Sequence, residues 1–289
     1  RPIGAASRGF AEALETAERA DVVVLCMGLS PALEGEQGDA MNADASGDRL
    51  HINLPGAQQA LIAAVAELGK PTVLVLIGGS ALAVPWAQDH IPAIVQQFYP
   101  GQSGGDALAD VLFGEHSPSG RLPVTFYRGM DQLPPFEDYS MVERTYRYFT
   151  GEPLYPFGFG LSYTEFSYSD LNVPEEASAQ EPLEVEAEVS NTGERDSDEV
   201  VQLYISHENA PCRVPIRQLA GCQRVHLKAG ESQRVKFTIQ PAQFAIINNE
   251  GQAMAPEGHM RVSVGGSQGD SVSLRLGAAD PVDGIVKFV

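Results

Sequence analysis

Long apolar runs are missing from this sequence. The longest, such as VVVLCMGL and PTVLVLIGG, fall well short of the roughly 18 residues that a membrane-crossing helix needs. No membrane partner is therefore expected. Basic residues are scarce as well, 19 against 38 acidic ones, for a formal charge of −19. That field repels nucleic acid and anionic membrane surfaces, and no basic stripe reverses it locally. A neutral substrate is indifferent to it. Cysteine is the third shortage. Cys26, Cys212 and Cys222 give neither a metal-ligand spacing nor a disulfide framework, so no metal site is expected. Cys26 closes an apolar strand and reads as a small buried hydrophobe, while Cys212 and Cys222 keep the option of pairing in an oxidising compartment. No signal peptide is visible in these residues. The start at Arg1 rather than Met points to a processed, trimmed or fragmentary polypeptide.

What is present is a globular composition, 43% hydrophobic over 289 residues, enough for two domains with a sizeable core. The first part alternates strand and helix. FAEALETAERA, residues 9–19, has helical composition with Phe10, Leu14 and Ala17 on one stripe. The β-branched run from Asp21 to Leu25 is expected to be a strand buried on both faces. Pro55-Gly56 opens a helix to about Leu68, closed by Gly69. TVLVLI is a second strand, a short helix follows around 83–89, and Ala93 to Phe98 is a third strand. Another helix starts near Gly104. These spacings predict parallel βαβ units, with right-handed crossovers that put the three post-strand loops along one sheet edge.

Residues 115–164 are rich in proline and in aromatics, including Tyr146, Phe157 and Phe159, and suit a segment that wraps a surface or connects domains. Beyond Phe166 the pattern is all-β. LEVEAEVSN alternates, VVQLYIS is a strand, and VHLKAGESQRVKFTI reads as strand, turn, strand. Short strands about 10 residues apart predict an immunoglobulin-like sandwich, with the glutamates of 175–188 on a solvated face. The fold class is thus a partial, mostly parallel α/β domain followed by an all-β sandwich. The divisions expected are 1–130, a connector 131–166, and 167–289.

The chemistry-bearing stretch is the loop after the first strand, LEGEQGDAMNADASGDR, with Glu34, Glu36, Asp39, Asp44 and Asp48. Open α/β sheets bind ligands at the carboxyl ends of their strands, although a solvated acidic loop has the same composition. Gly101-Gln102-Ser103-Gly104-Gly105 matches the G-x-S-x-G elbow of serine esterases, but no histidine lies suitably downstream. A tight turn at the start of a helix explains those small residues better. Gly78-Gly79-Ser80 carries no nucleotide-binding pattern.

Several stretches resemble one known family. PGQSGGDALADVLFGEHSPSGRLPVT (100–125) is similar to a signature of the C-terminal α/β sandwich domain of family 3 glycoside hydrolases. RTYRYFTGEPLYPFGFGLSYTEF (144–166) is similar to the segment leading out of that domain. VSNTGERDSDEVVQ (189–202) and residues 217–230 are similar to the fibronectin type III-like domain that follows it. The resemblance implies a retaining β-glycosidase acting on terminal β-D-glucosyl or β-D-xylosyl residues of oligosaccharides or aryl glycosides, with no cofactor. Such enzymes use a nucleophile and an acid/base. In the family the nucleophile is an Asp on an N-terminal (β/α)8 barrel, and the acid/base is a Glu of the α/β sandwich. That Glu precedes an Asp-Arg pair and a Leu-Pro-x-x-Gln segment. Here the candidates are Glu36, preferred for its Glu-x-Gly-Asp context, and Glu34. Asp48 and Arg49 match the Asp-Arg pair, either as sugar contacts or as an ion pair ordering the loop.

No segment resembles the barrel, so the isolated chain is expected to be inactive, with the barrel as its partner. The resemblance also implies a periplasmic or secreted location and leaves a homodimer open. The rival readings are a non-catalytic carbohydrate-binding or assembly fragment and a serine esterase using Ser103.

Overall fold

The computed structural model describes residues 8–35 and 49–289. The chain divides into two compact units, Arg1–Ala109 with Phe126–Leu133, and Asp110–Thr125 with Pro134–Val289.

The first unit is α/β. In chain order it runs α1 (Arg8–Arg19), β1 (Val23–Gly28), α2 (Gln58–Ala66), β2 (Thr72–Ile77), α3 (Pro85–His90), β3 (Ala93–Gln96) and the start of α4 (Gly104–Leu112). The three strands form one parallel sheet in the order β1-β2-β3, with Val23 opposite Thr72 and Val73 opposite Ala93. β2 is central and the most apolar, and Leu74, Val75 and Leu76 are all buried. Pro85 opens α3, where a missing N–H costs nothing. Gly69, at φ +67°, follows α2 in a conformation glycine adopts freely.

One expectation fails here. β1 is not buried on both faces: Val23 and Leu25 are buried, but Val22 is 56% exposed, Val24 44%, and Cys26 is exposed too. A continuous apolar run needs cover on both sides of the sheet. β1 is an edge strand, and the alternating burial shows that the described residues cover only one of its faces.

The second unit is a β-sandwich. It comprises β4 (Phe166–Asn172), β5 (Glu176–Ala177), β6 (Leu183–Asn191), β7 (Ser197–Glu208), β8 (Gln218–Leu227), β9 (Ser232–Ile239), β10 (Ile246–Ile247), β11 (Ala253–Met254), β12 (Gly258–Gly265) and β13 (Val282–Phe288). One sheet has the order β4-β6-β9 and the other β5-β13-β12-β7-β8, while β10 and β11 pair alone. The alternation in LEVEAEVSN sends Leu183, Val185, Ala187 and Val189 into the core beside Leu203, Phe237 and Val262. Glu184 and Glu186 stay on the outer face, where Lys236 of β9 meets both.

Residues 110–125 belong to this unit as a strap. Leu122 N–H donates to Phe159 O and Gly158 N–H to Leu122 O, at 2.9 and 2.8 Å. The Arg121 guanidinium bonds Glu199 of β7 at 2.7 Å and Gly266 O at 3.0 Å. Tyr168 donates to the other Glu199 oxygen at 2.8 Å. The aromatic segment wraps the same unit: Tyr146 stacks on Phe157 at 4.2 Å and meets Tyr204 edge-on.

Candidate active site

The loop after β1 leaves the sheet from a fixed point. Gly28 N–H donates to Gln58 Oε1 at 2.7 Å, and Gln58 Nε2 donates back to Gly28 O at 2.8 Å. Gln58 is the Gln of Leu-Pro-x-x-Gln, so that motif supplies an amide satisfying both backbone groups of the last β1 residue. Gly28 sits at φ +136°, and a Cβ there would lie 1.8 Å from Ile77 O, which leaves no room for a side chain. Leu29 N–H then bonds Ile77 O at 2.7 Å, and a single turn follows in which Glu34 N–H bonds Ser30 O at 3.0 Å.

That turn delivers the Glu34 carboxylate to the loops after β2 and β3. Oε2 accepts from Gly79 N–H at 2.9 Å and from the Tyr99 hydroxyl at 2.8 Å. Oε1 accepts from the Ser80 hydroxyl. Gly79 has only just enough room: a Cβ would stand 3.1 Å from the Tyr99 ring and 3.3 Å from Glu34 Oε2. From the other end of the acidic loop, Arg49 donates to Ser80 Oγ at 2.8 Å and to Ala81 O at 3.1 Å, with Nε 3.9 Å from Glu34 Oε1. Residue 34 and residue 49, the two ends, are therefore held at the same place, Gly79–Ala81. The bond from Ala83 N–H to Ile52 O at 2.8 Å continues the seam.

The electrostatics follow from this packing. Burial pushes the Glu34 carboxyl up, but the hydrogen bonds from Ser80, Gly79 and Tyr99 and the Arg49 charge outweigh it, so Glu34 is held below its ordinary 4.5. The Tyr99 phenol is pushed up to about 12, by burial first and then by its bond to the Glu34 anion. Burial lowers the Arg49 value, and Glu34 opposes that shift. The cluster is thus an ionised carboxylate, a neutral phenol and a guanidinium. One Arg49 nitrogen, NH1, is buried and has no hydrogen-bond partner among the described residues.

Of the residues singled out in the sequence, Glu34 and Arg49 come together, while Glu36 and Asp48 lie outside the described residues. Ser80 and Tyr99 complete the cluster and were not anticipated. A polar residue just after each sheet strand was the available signal. Among the described residues no histidine is hydrogen-bonded to Ser103, and Gly104 is needed because a Cβ there would stand 2.3 Å from the Pro100 ring. Cys212 and Cys222 are free thiols. Among the described residues no group of acidic, histidine or cysteine side chains is placed to hold a metal ion, and no helix is long and apolar enough to cross a membrane.

The model of the glycosyl hydrolase family 3 C-terminal domain matches residues 4–163. The chain belongs to glycosyl hydrolase family 3. The fibronectin type III-like domain model matches residues 199–268, within the sandwich. Two relatives illustrate the likeness. A xylan 1,4-beta-xylosidase of Xylanibacter ruminicola is 42% identical over 77% of this chain and 26% of its own length. A periplasmic beta-glucosidase of Salmonella typhimurium is 36% identical over 88% of this chain and 34% of its own. The solved structure of a β-glucosidase from Erythrobacter marinus superposes with a TM-score of 0.80 at 35% identity, covering 98% of this chain and 36% of that one. The chain therefore spans between a quarter and two-fifths of the length of these proteins.

Proposed function

We propose that this chain is the acid/base-bearing part of a retaining β-glycosidase that removes terminal β-D-glucosyl or β-D-xylosyl residues. The observation that carries the reading is the convergence of Glu34 and Arg49 on the residues after β2, which fixes both ends of the acidic loop at the ligand-binding edge of a parallel sheet. The names of the relatives support the substrate class.

Within the loop we assign the acid/base to Glu36. The leaving oxygen must receive a proton, so the acid has to be protonated near neutral pH. Glu34, stabilised as an anion by three donors, suits that task poorly. Arg49, one of whose buried nitrogens has no partner among the described residues, is assigned to donate to a further acceptor such as a sugar hydroxyl, and Asp48, the other half of the Asp-Arg pair, is assigned to the same substrate-binding role. The nucleophile would be an aspartate outside this chain, on an N-terminal (β/α)8 barrel, because one acid/base cannot also form the glycosyl-enzyme. A periplasmic or secreted location fits the same reading.

The 289-residue chain alone is expected to give no turnover of an aryl β-glucoside. The longer gene product that carries it should hydrolyse that substrate. Glu36→Gln should slow hydrolysis of alkyl β-glucosides by about a hundredfold or more. Full activity of the isolated chain, or an unimpaired Glu36→Gln enzyme, would overturn the assignment.

A further inference from the structure

The Tyr99 hydroxyl is not needed to satisfy the fold. As a residue Tyr99 is 44% exposed, so the fold does not depend on enclosing it. Yet the chain takes an unfavourable path to bring it in. Phe98, the residue before it, sits at φ +57°, a strained left-handed conformation that bulky residues rarely adopt. The ring packs against Gly79, where a Cβ would stand only 3.1 Å from it, and the hydroxyl reaches Glu34 Oε2 at 2.8 Å. Strain that aims a polar group at a carboxylate beside a ligand-binding edge is the pattern of a functional site.

The three donors come from two different loops. Gly79 and Ser80 follow β2, and Tyr99 follows β3, while Glu34 follows β1. The carboxylate thus joins all three post-strand loops, and through Ser80 it also meets Arg49 at the far end of the acidic loop. Removing the phenol unties the β3 loop only and leaves the Gly79 and Ser80 bonds in place.

We propose that Tyr99, acting through Glu34, is a positioning residue for proton delivery to the leaving group, with Ser80 as its partner on the β2 loop. This rests on the glycosidase reading above. Tyr99 touches neither the substrate nor the moving proton. It fixes the frame from which the acidic loop departs and to which it returns, and a small misplacement of an acid is costly for proton transfer.

The test uses leaving groups. An alkyl alcohol departs only if it is protonated, whereas dinitrophenolate leaves as a stable anion and needs little help from the acid. In the longer gene product, Tyr99→Phe should lower kcat/KM, which reports the bond-breaking first step, on alkyl β-glucoside and β-xyloside by about tenfold, but by less than about threefold on the dinitrophenyl glycoside. A purely structural role would lower both equally. Equal losses, or no loss on the alkyl glycoside, overturn the proposal. Should Tyr99→Phe fail to fold, Ser80→Ala removes another donor to the same carboxylate and carries the same comparison. If the wild-type protein hydrolyses neither class, the glycosidase reading falls, and this inference with it.

Discussion

Two clusters in this molecule are built from the same three side chains. Glu34, Arg49 and Tyr99 meet at the strand ends of the α/β unit, and Glu199, Arg121 and Tyr168 meet in the β-sandwich unit. In both, a tyrosine hydroxyl donates to the carboxylate at 2.8 Å. The difference is in saturation and burial. Glu199 and Arg121 are 1% and 9% exposed, bonded at 2.7 Å, and the arginine's Nε is also satisfied by Gly266 O. Glu34 and Arg49 are 20% and 16% exposed, sit 3.9 Å apart, and leave one guanidinium nitrogen without a partner among the described residues. A closed cluster has no capacity left for a ligand and acts as a fastening. An open one at a sheet edge keeps unused hydrogen-bonding capacity, which is what a binding site requires. Composition does not separate the two, but the accounting of donors and acceptors does.

The sharpest way to break this contrast is to remove one partner from the closed cluster. Glu199→Ala strands a buried guanidinium, and about 3–5 kcal/mol of unfolding free energy should be lost in a urea titration. A loss below about 1 kcal/mol would show that Glu199 is no fastening. Glu34→Gln should cost less, about 1–2 kcal/mol, because the site is partly solvated and an amide still accepts hydrogen bonds.

Its pH dependence sharpens the point. The folded pKa of Glu34 lies below the ordinary 4.5, so the carboxylate's contribution is complete above that value and is lost as the pH falls through the folded pKa. The gap between wild type and Glu34→Gln should therefore be full at about pH 6 and narrow steadily below pH 4.5. A gap independent of pH would remove the charge from the explanation. The smallest effect belongs to the outer face of the sandwich. Lys236→Ala breaks contacts to Glu184 and Glu186 that are open to water, and the melting temperature should not move beyond experimental scatter.

Much of the architecture was legible in the residues because periodicity carries it. The alternation in LEVEAEVSN and the strand–helix spacing of residues 9–112 appear in the structure as β6 and as α1 to α4. The exposed face of β1 was not legible, since a run of valines and leucine is the same whether one face is covered or two. At the site, the carboxylates and Arg49 stood out by composition and family resemblance. Ser80 and Tyr99 did not, because their partner lies 46 and 65 residues away along the chain and no local pattern links them. Gln58 could be read as part of a motif, but not as the amide that caps Gly28, 30 residues earlier. Long-range polar pairing is decided by where the loops meet, and that depends on the finished fold.

The chain passes between its two units three times, at residues 109/110, 125/126 and 133/134. This has a consequence for synthesis on the ribosome. Every described partner of Glu34 has been made once Tyr99 emerges, so the carboxylate frame can close early. Arg121 is translated well before Glu199, 78 residues further on, and at roughly 5–20 residues per second it waits several seconds for its partner. During that interval the strap is a nascent segment with a charge awaiting burial. Synonymous codon changes that slow translation between residues 125 and 199 would lengthen that wait without altering a single amino acid.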